Sequence, residues 1–245
     1  MSEQIVGRNP VIEALRSGSR QIEKILIVQG SEHSRLRQII DAAERKGIPY
    51  QRCPRHHLDS LQPNHQGVIA FISEFQYTEL STLLKKIENN KDVPALLIML
   101  DQIHDPRNLG AILRTANATG TDGVLIPKNN AADITAAVHK AAAGSTEYTP
   151  ITKVTNLAQT IEKLKSVGIW VVGTAEDAEL PYTDADFTDP LCIVLGNEGQ
   201  GIRRLVKQKC DYLVHLPMLG QIRSLNVSVT AGVLLYEVLR QRSVK

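Results

Sequence analysis

From Ala95 onward the chain alternates short apolar runs with helical patterns, and this alternation restricts the fold more than any other feature of the sequence. The runs Ala95–Leu100, Gly123–Pro127, Trp170–Gly173, Cys192–Leu195 and Tyr212–Leu216 read as strands. Several are apolar at consecutive positions rather than alternate ones, so they must be covered on both faces. The expected arrangement is an α/β fold: a mostly parallel sheet with helices on either side. A last helix is predicted over Val227–Arg242, with an apolar side and an Arg-rich end.

Upstream, the pattern is that of a smaller α/β unit. Asn9-Pro10 suggests an N-cap with proline at the first helical position, and Gly18 ends that helix. A strand is expected over Lys24–Val28. An amphipathic helix over Ser31–Lys46 would place Leu36, Ile39, Ile40 and Ala43 on one face, and a second strand would run over Gly67–Ile72. These elements define a domain over residues 1–73. Residues 74–92 are polar, with a helix at Leu80–Ile87, and read as a linker to a domain over 93–245.

Charge and cysteine usage narrow the setting. A net charge of +2 does not by itself mark a polyanion-binding protein, but residues 1–57 hold ten Lys and Arg against six Asp and Glu. Arg8, Arg16, Arg20, Arg52 and Arg55 contribute to that excess, which a plain solvated face would also explain. Cys53, Cys192 and Cys210 are far apart and form no C-x-x-C pair. The start, MSEQIVGRNP, has no export pattern, and no apolar run is long enough to cross a bilayer. A soluble cytoplasmic protein is expected, with no membrane and no metal. His104 and His139 stand alone, and there is no P-loop, G-x-S-x-G or H-E-x-x-H.

Three segments leave strand ends, where open α/β sheets hold their ligands. In Leu100–Ala116, Asp105-Pro106 signals a turn and Asn108 could cap the next helix, with Gly110, Arg114 and Asn117 on one helix face. Leu195–Gly201, LGNEGQG, runs a strand into three glycines and one carboxylate. Its glycine spacing, G-x-x-G-x-G, is the reverse of the dinucleotide fingerprint and argues against a nicotinamide enzyme. Leu216–Val229, LPMLGQIRSLNVSV, follows a Pro/Gly loop with Ser224, Asn226 and Ser228, whose polar groups can orient a ligand or simply cap a helix. Taken singly, each segment is also what an ordinary capped helix or strand-to-helix turn looks like.

Taken together, in this order and spacing, they resemble the three motifs of the SpoU (TrmH-type) RNA methyltransferases: N-x-G-x-x-x-R at Asn108, Gly110 and Arg114, L-G-N-E-G-x-G at 195–201, and P-M-x-G-x-x-x-S-L-N-V-S-V from Pro217. The resemblance extends over the whole chain. It implies a trefoil-knotted (SPOUT-type) C-terminal domain, a small N-terminal RNA-binding domain and a homodimer. The implied reaction is transfer of a methyl group from S-adenosyl-L-methionine to the ribose 2′-hydroxyl of a guanosine in 23S rRNA. A transfer-RNA substrate, or a catalytically silent rRNA-binding role in ribosome assembly, are the alternatives. By the same resemblance Arg114, Asn108, Glu198, Asn226 and Ser224 form the catalytic set. Thr174, Gly196, Leu216, Met218 and Leu225 would hold the cofactor, and Arg8, Asn9, Arg16, Arg20, Arg52 and Arg55 the RNA.

Overall fold

A computed structural model describes residues 3–31, 33–90, 92–197, 199–222 and 224–243. The chain divides into two compact units. One is built from the chain up to Gln76 together with Asp133–Tyr148, the other from Tyr77–Ala132 together with Thr149 onward.

The first unit contains β1 (Glu3–Val6), α1 (Arg8–Ser17), β2 (Ile22–Val28), α2 (Ser34–Arg45), β3 (Tyr50–Cys53), α3 (Arg55–Leu61) and β4 (Val68–Ile72). Its sheet has the order β1-β4-β2-β3, with β4 antiparallel to β1 and β2, and β3 parallel to β2. The expected face of α2 is the one that packs: Leu36, Ile39 and Ala43 join Ile25, Ile27, Val68 and Ala70 in one core, with Ile40 against its edge. Helix α1 begins two residues earlier than its sequence suggested. Gly7 holds φ 100°, a conformation that L side chains rarely adopt, and Arg8 is already helical. Asn9 therefore caps nothing; its side chain accepts a hydrogen bond from Arg35.

The second unit opens with α4 (Leu80–Asn89), β5 (Leu96–Asp101), α5 (Pro106–Ala118) and β6 (Gly123–Pro127). Leu83 of α4 is fully buried against Gly123, where an added Cβ would come within 2.8 Å of it. Much of the stretch read as linker thus supplies a helix to this unit's core. After β6 the chain returns to the first unit as α6 (Ala136–Ala141) and a 3₁₀ turn over Ser145–Glu147.

That return closes a buried polar network. Arg20 donates to the Ser73 carbonyl and to Glu3, and lies 3.5 Å from Glu147 and 3.3 Å from His139 Nε2. His139 Nδ1 meets Thr146 Oγ1 at 2.8 Å. Arg20 was expected on the RNA-binding surface. Its side chain is only 5% exposed, because two carboxylates and a carbonyl hold it inside, and it presents no charge to a polyanion.

The chain then completes the second unit with β7 (Ile151–Val154), α7 (Leu157–Ser166), β8 (Trp170–Thr174), β9 (Leu180–Pro181), β10 (Leu191–Gly196), α8 (Arg204–Lys209), β11 (Tyr212–His215) and α9 (Val227–Ser243). The seven strands form one sheet in the order β7-β6-β5-β10-β8-β11-β9, and every pairing is parallel. Near its end α9 is fastened to the segments that lead into the central strands β5 and β10. Arg242 donates to the carbonyls of Phe187, Pro94, Ala95 and Asp189, and Gln241 exchanges two bonds with Ala185 and Phe187. No described helix is long and apolar enough to cross a membrane. All three cysteines are free thiols.

Candidate active site

Parallel strands share a polarity, so β5, β8, β10 and β11 end at the same edge of the sheet, and the three polar segments leave from that edge. The first begins at Asp101, which is fully buried at the end of β5. After the turn, Asp105 rather than Asn108 caps α5: its side chain accepts from the Arg107 amide at 2.8 Å, with Pro106 at the first helical position. Asn108 lies in the helix's first turn, 9% exposed, and its Oδ1 accepts from Asn226 Nδ2 at 3.0 Å. Arg114, further along α5, is exposed and pairs with no other described residue.

The glycine segment is folded back on itself. A Cβ on Gly196 would lie 2.0–2.3 Å from the backbone of Gly201 and Ile202, so only glycine fits there. Asn197 staples the turn: its Oδ1 accepts from the amides of Gly199 and Gln200 at 2.8 and 3.0 Å, and its carbonyl accepts from Gly201 at 2.9 Å. Asp101 braces the turn from outside, accepting from the Arg203 amide at 2.9 Å and from Arg203 Nε at 2.8 Å. Glu198, a candidate catalytic residue, lies outside the described residues.

In the third segment Asn226 does two things with one amide. Its Oδ1 accepts from the amide and hydroxyl of Ser228 at the start of α9, at 2.8 and 2.6 Å, while its Nδ2 donates to Asn108. The amide orientation is fixed by these partners, and the two helix starts are joined through it.

Between the second and third segments and the end of β8 lies a cavity of about 420 Å³, within the range of small-molecule sites. All five candidate cofactor residues, Thr174, Gly196, Leu216, Met218 and Leu225, line it, and so does Ser224. Asn108, Arg114 and Asn226 do not. Among the described residues, one buried side-chain atom in its wall lacks a partner: His215 Nδ1, at the end of β11. Such an atom costs roughly 1–3 kcal/mol unless a ligand or water satisfies it. Beyond β8, Lys207 Nζ holds both oxygens of Asp177 at 2.6 and 2.9 Å, and this hydrogen bonding keeps the Asp177 carboxyl below its ordinary range. Glu176 beside it is exposed and lines the same cavity. Asp101, Glu176 and His215 escaped the sequence reading. The one available hint was Asp101, an acid closing an otherwise apolar strand.

The candidate RNA residues of the first unit separate into groups. Arg8 is held at one end of the sheet, its Nε donating to the Gln66 carbonyl at 2.9 Å and its amide to Gln66 Oε1 at 3.2 Å. Asn9 and Arg35 sit beside it at the starts of α1 and α2. Arg52 and Arg55 are exposed near the end of β3, Arg55 only 3.9 Å from Asp59. Arg16 lies at the far end of α1, paired with Glu13 at 2.8 Å. Among the described residues, no three His, Cys, Asp or Glu side chains converge as metal ligands would.

Comparison with known proteins agrees with this architecture. Residues 95–236 match the SpoU rRNA Methylase family, and residues 4–78 match the family described as RNA 2′-O ribose methyltransferase substrate binding. The chain is 44% identical over 247 residues to a Bacillus subtilis protein, YacO, whose name assigns it to TrmH family tRNA/rRNA methyltransferases; 99% of this chain and 98% of that one are covered. AviRb, a SpoU methyltransferase from Streptomyces viridochromogenes, superposes with a TM-score of 0.81 at 26% identity, covering 99% of this chain and 90% of its own. Its complex with the cofactor AdoMet superposes at 0.82 and 24% identity, over 100% and 92% of the two chains. A solved RNA 2′-O ribose methyltransferase gives 0.81 at 27% identity, over 98% and 88%.

Proposed function

Since the chain belongs to the SpoU rRNA methylase family, we propose that it methylates the ribose 2′-hydroxyl of a guanosine in 23S rRNA, with S-adenosyl-L-methionine as methyl donor. The observation that carries the reading is the meeting of the glycine segment, the Leu216–Val229 segment and the end of β8 around one cavity at the carboxyl edge of a parallel sheet. The residues there suit that cofactor. Gly196 lines the cavity and has only backbone to offer it, and His215 Nδ1 offers an unsatisfied polar atom. AviRb, which has the same fold, is solved with AdoMet. Thr174, Gly196, Leu216, Met218 and Leu225 would hold the cofactor, largely through backbone groups.

When bound, S-adenosylmethionine supplies a methyl group on a sulfonium, already a strong electrophile. What remains for the protein is to align a weak nucleophile and stabilise its deprotonation. Arg114 is the group for the developing alkoxide. Its guanidinium stays protonated, so it acts by charge and hydrogen bonding, and the hydroxyl proton passes to phosphate or water. Asn108 and Asn226 hold the starts of α5 and α9 in fixed relation, so that Arg114 projects from a rigid helix. Ser224 and Glu198 complete the set at the cavity and its loop.

Arg114 does not line the cavity of its own chain, which supports a shared site in a homodimer. The surface for such a dimer would be apolar. Leu219 and Ile222 are 100% and 78% exposed, and Val229, Tyr236 and Leu239 form an exposed stripe along α9. An isologous contact there creates two sites at once. The knotted path of the family is part of the same reading, as is action in the cytoplasm. Residues 1–73 select the RNA, through Arg8, Asn9, Arg52 and Arg55 in particular. Mapping ribose methylation across rRNA and tRNA from cells with and without the gene tests the whole proposal. Loss of one 23S guanosine mark is the expected result. Loss of a tRNA mark redirects the substrate, and no loss at all leaves the assembly-protein alternative.

A further inference from the structure

Four titratable side chains line the cavity among the described residues: Glu176, Asp177, Lys207 and His215. Lys207 is committed to Asp177 through both carboxylate oxygens. Glu176 pairs with no described residue, yet it faces the cavity from the segment just beyond β8. Apart from His215, the described wall therefore presents one uncompensated charge, the Glu176 carboxylate, to its occupant.

We propose that Glu176 lets the cavity distinguish the methylated cofactor from its demethylated product by charge. The inference rests on S-adenosylmethionine being the ligand. That molecule carries a carboxylate, an ammonium and a sulfonium, for a net charge of +1. On transfer the S–CH₃ bond breaks with its electron pair remaining on sulfur, an O–CH₃ bond forms, and the hydroxyl proton leaves to phosphate or water. The sulfur is then a neutral thioether and the product has no net charge. A lone carboxylate in the wall attracts the first molecule and is nearly indifferent to the second. It therefore favours loading of the donor and release of the spent product. At separations of roughly 6 Å beside a partly wet wall, one such charge is worth about a three- to tenfold difference in affinity.

The test is calorimetric and needs no turnover. The full chain is titrated with S-adenosylmethionine and with S-adenosylhomocysteine, as wild type, Glu176→Gln and Glu176→Asp. The expected result is a three- to tenfold loss of affinity for the charged donor in Glu176→Gln, with less than about a twofold change for the product. Glu176→Asp, which keeps the charge, should retain the preference. In the wild type the preference should also shrink as salt is raised, because Glu176 is exposed and therefore screened. Equal losses for both ligands, or no loss for either, would overturn the inference while leaving the cofactor reading standing. Wild-type protein that binds neither ligand would overturn both.

Discussion

Asp101→Asn asks how much of the glycine turn depends on one buried carboxylate. Asp101 is fully buried and uses each oxygen once, for the Arg203 amide and for Arg203 Nε. Asparagine has nearly the same shape but offers one acceptor and one donor group, so one of the two N–H groups must face an NH₂. The Arg203 side chain is 45% exposed and can swing its Nε into water, whereas the backbone amide cannot leave without moving the turn. The amide oxygen should therefore keep the backbone bond, and the ion pair should be the one lost. A hydrogen bond to a charged group is worth roughly 1.5–3 kcal/mol, reduced here because the partner is half in solvent. We expect Asp101→Asn to cost about 2 kcal/mol in urea unfolding. Asp101→Ala removes both acceptors and should cost about 4 kcal/mol. Both should weaken cofactor binding, because Gly196, paired with Asp101 across the sheet, and Gly201 form part of the cavity wall. Unfolding curves and titration calorimetry measure the two effects. Asp101→Ala within 1 kcal/mol of wild type, with unchanged cofactor affinity, would refute the bracing role.

Arg114→Ala should leave cofactor affinity nearly intact and lower methyl transfer about a hundredfold or more, as loss of a charge-stabilising donor does; normal turnover would remove Arg114 from the chemistry. Burial pushes the Glu3 carboxyl up, but hydrogen bonds from His139, the Phe75 backbone and Arg20 bring it down to about 2. Its folded value is thus below its unfolded one, so the stability it contributes is present at neutral pH and is lost as pH falls from about 4.5 through about 2. Glu3→Gln should flatten that acid limb of the unfolding curve, and an unchanged limb would place the titration elsewhere. Burial raises the Cys210 thiol to about 12 and pushes Cys192 and Cys53 up as well. Iodoacetamide at pH 8 should therefore label none of the three quickly in native protein and all of them in urea.

The parallel sheet was legible because its central strands are apolar on both faces: LLIML and LCIVL admit no other placement. Strands such as EQIV and YQRC, short and half-exposed, left too little contrast for recognition. Within the site, the glycines and asparagines announced themselves by type and spacing. The Asp101 brace joins residues 102 positions apart, and only the register of β5 against β10 brings them together. Arg20 misled for a related reason. Its charge suggested a surface, and the partners that hold it inside, Glu147 and His139, come from sequence that the strand and helix pattern had given to the other domain. Residues 74–92 read as linker because the apolar face of α4, centred on Leu83, is narrow.

The return of Asp133–Tyr148 to the first unit also orders events in time. During synthesis the chain through Gln76 leaves the ribosome while Glu147 and His139 do not yet exist. At roughly 5–20 residues per second, the intervening Tyr77–Ala132 alone take roughly 3–11 seconds to make. Throughout that interval Arg20 has Glu3 but neither of the later partners, and its guanidinium must stay hydrated at the very place the finished unit seals. The first unit of the chain to be made is thus the one that must wait for later sequence before it can close.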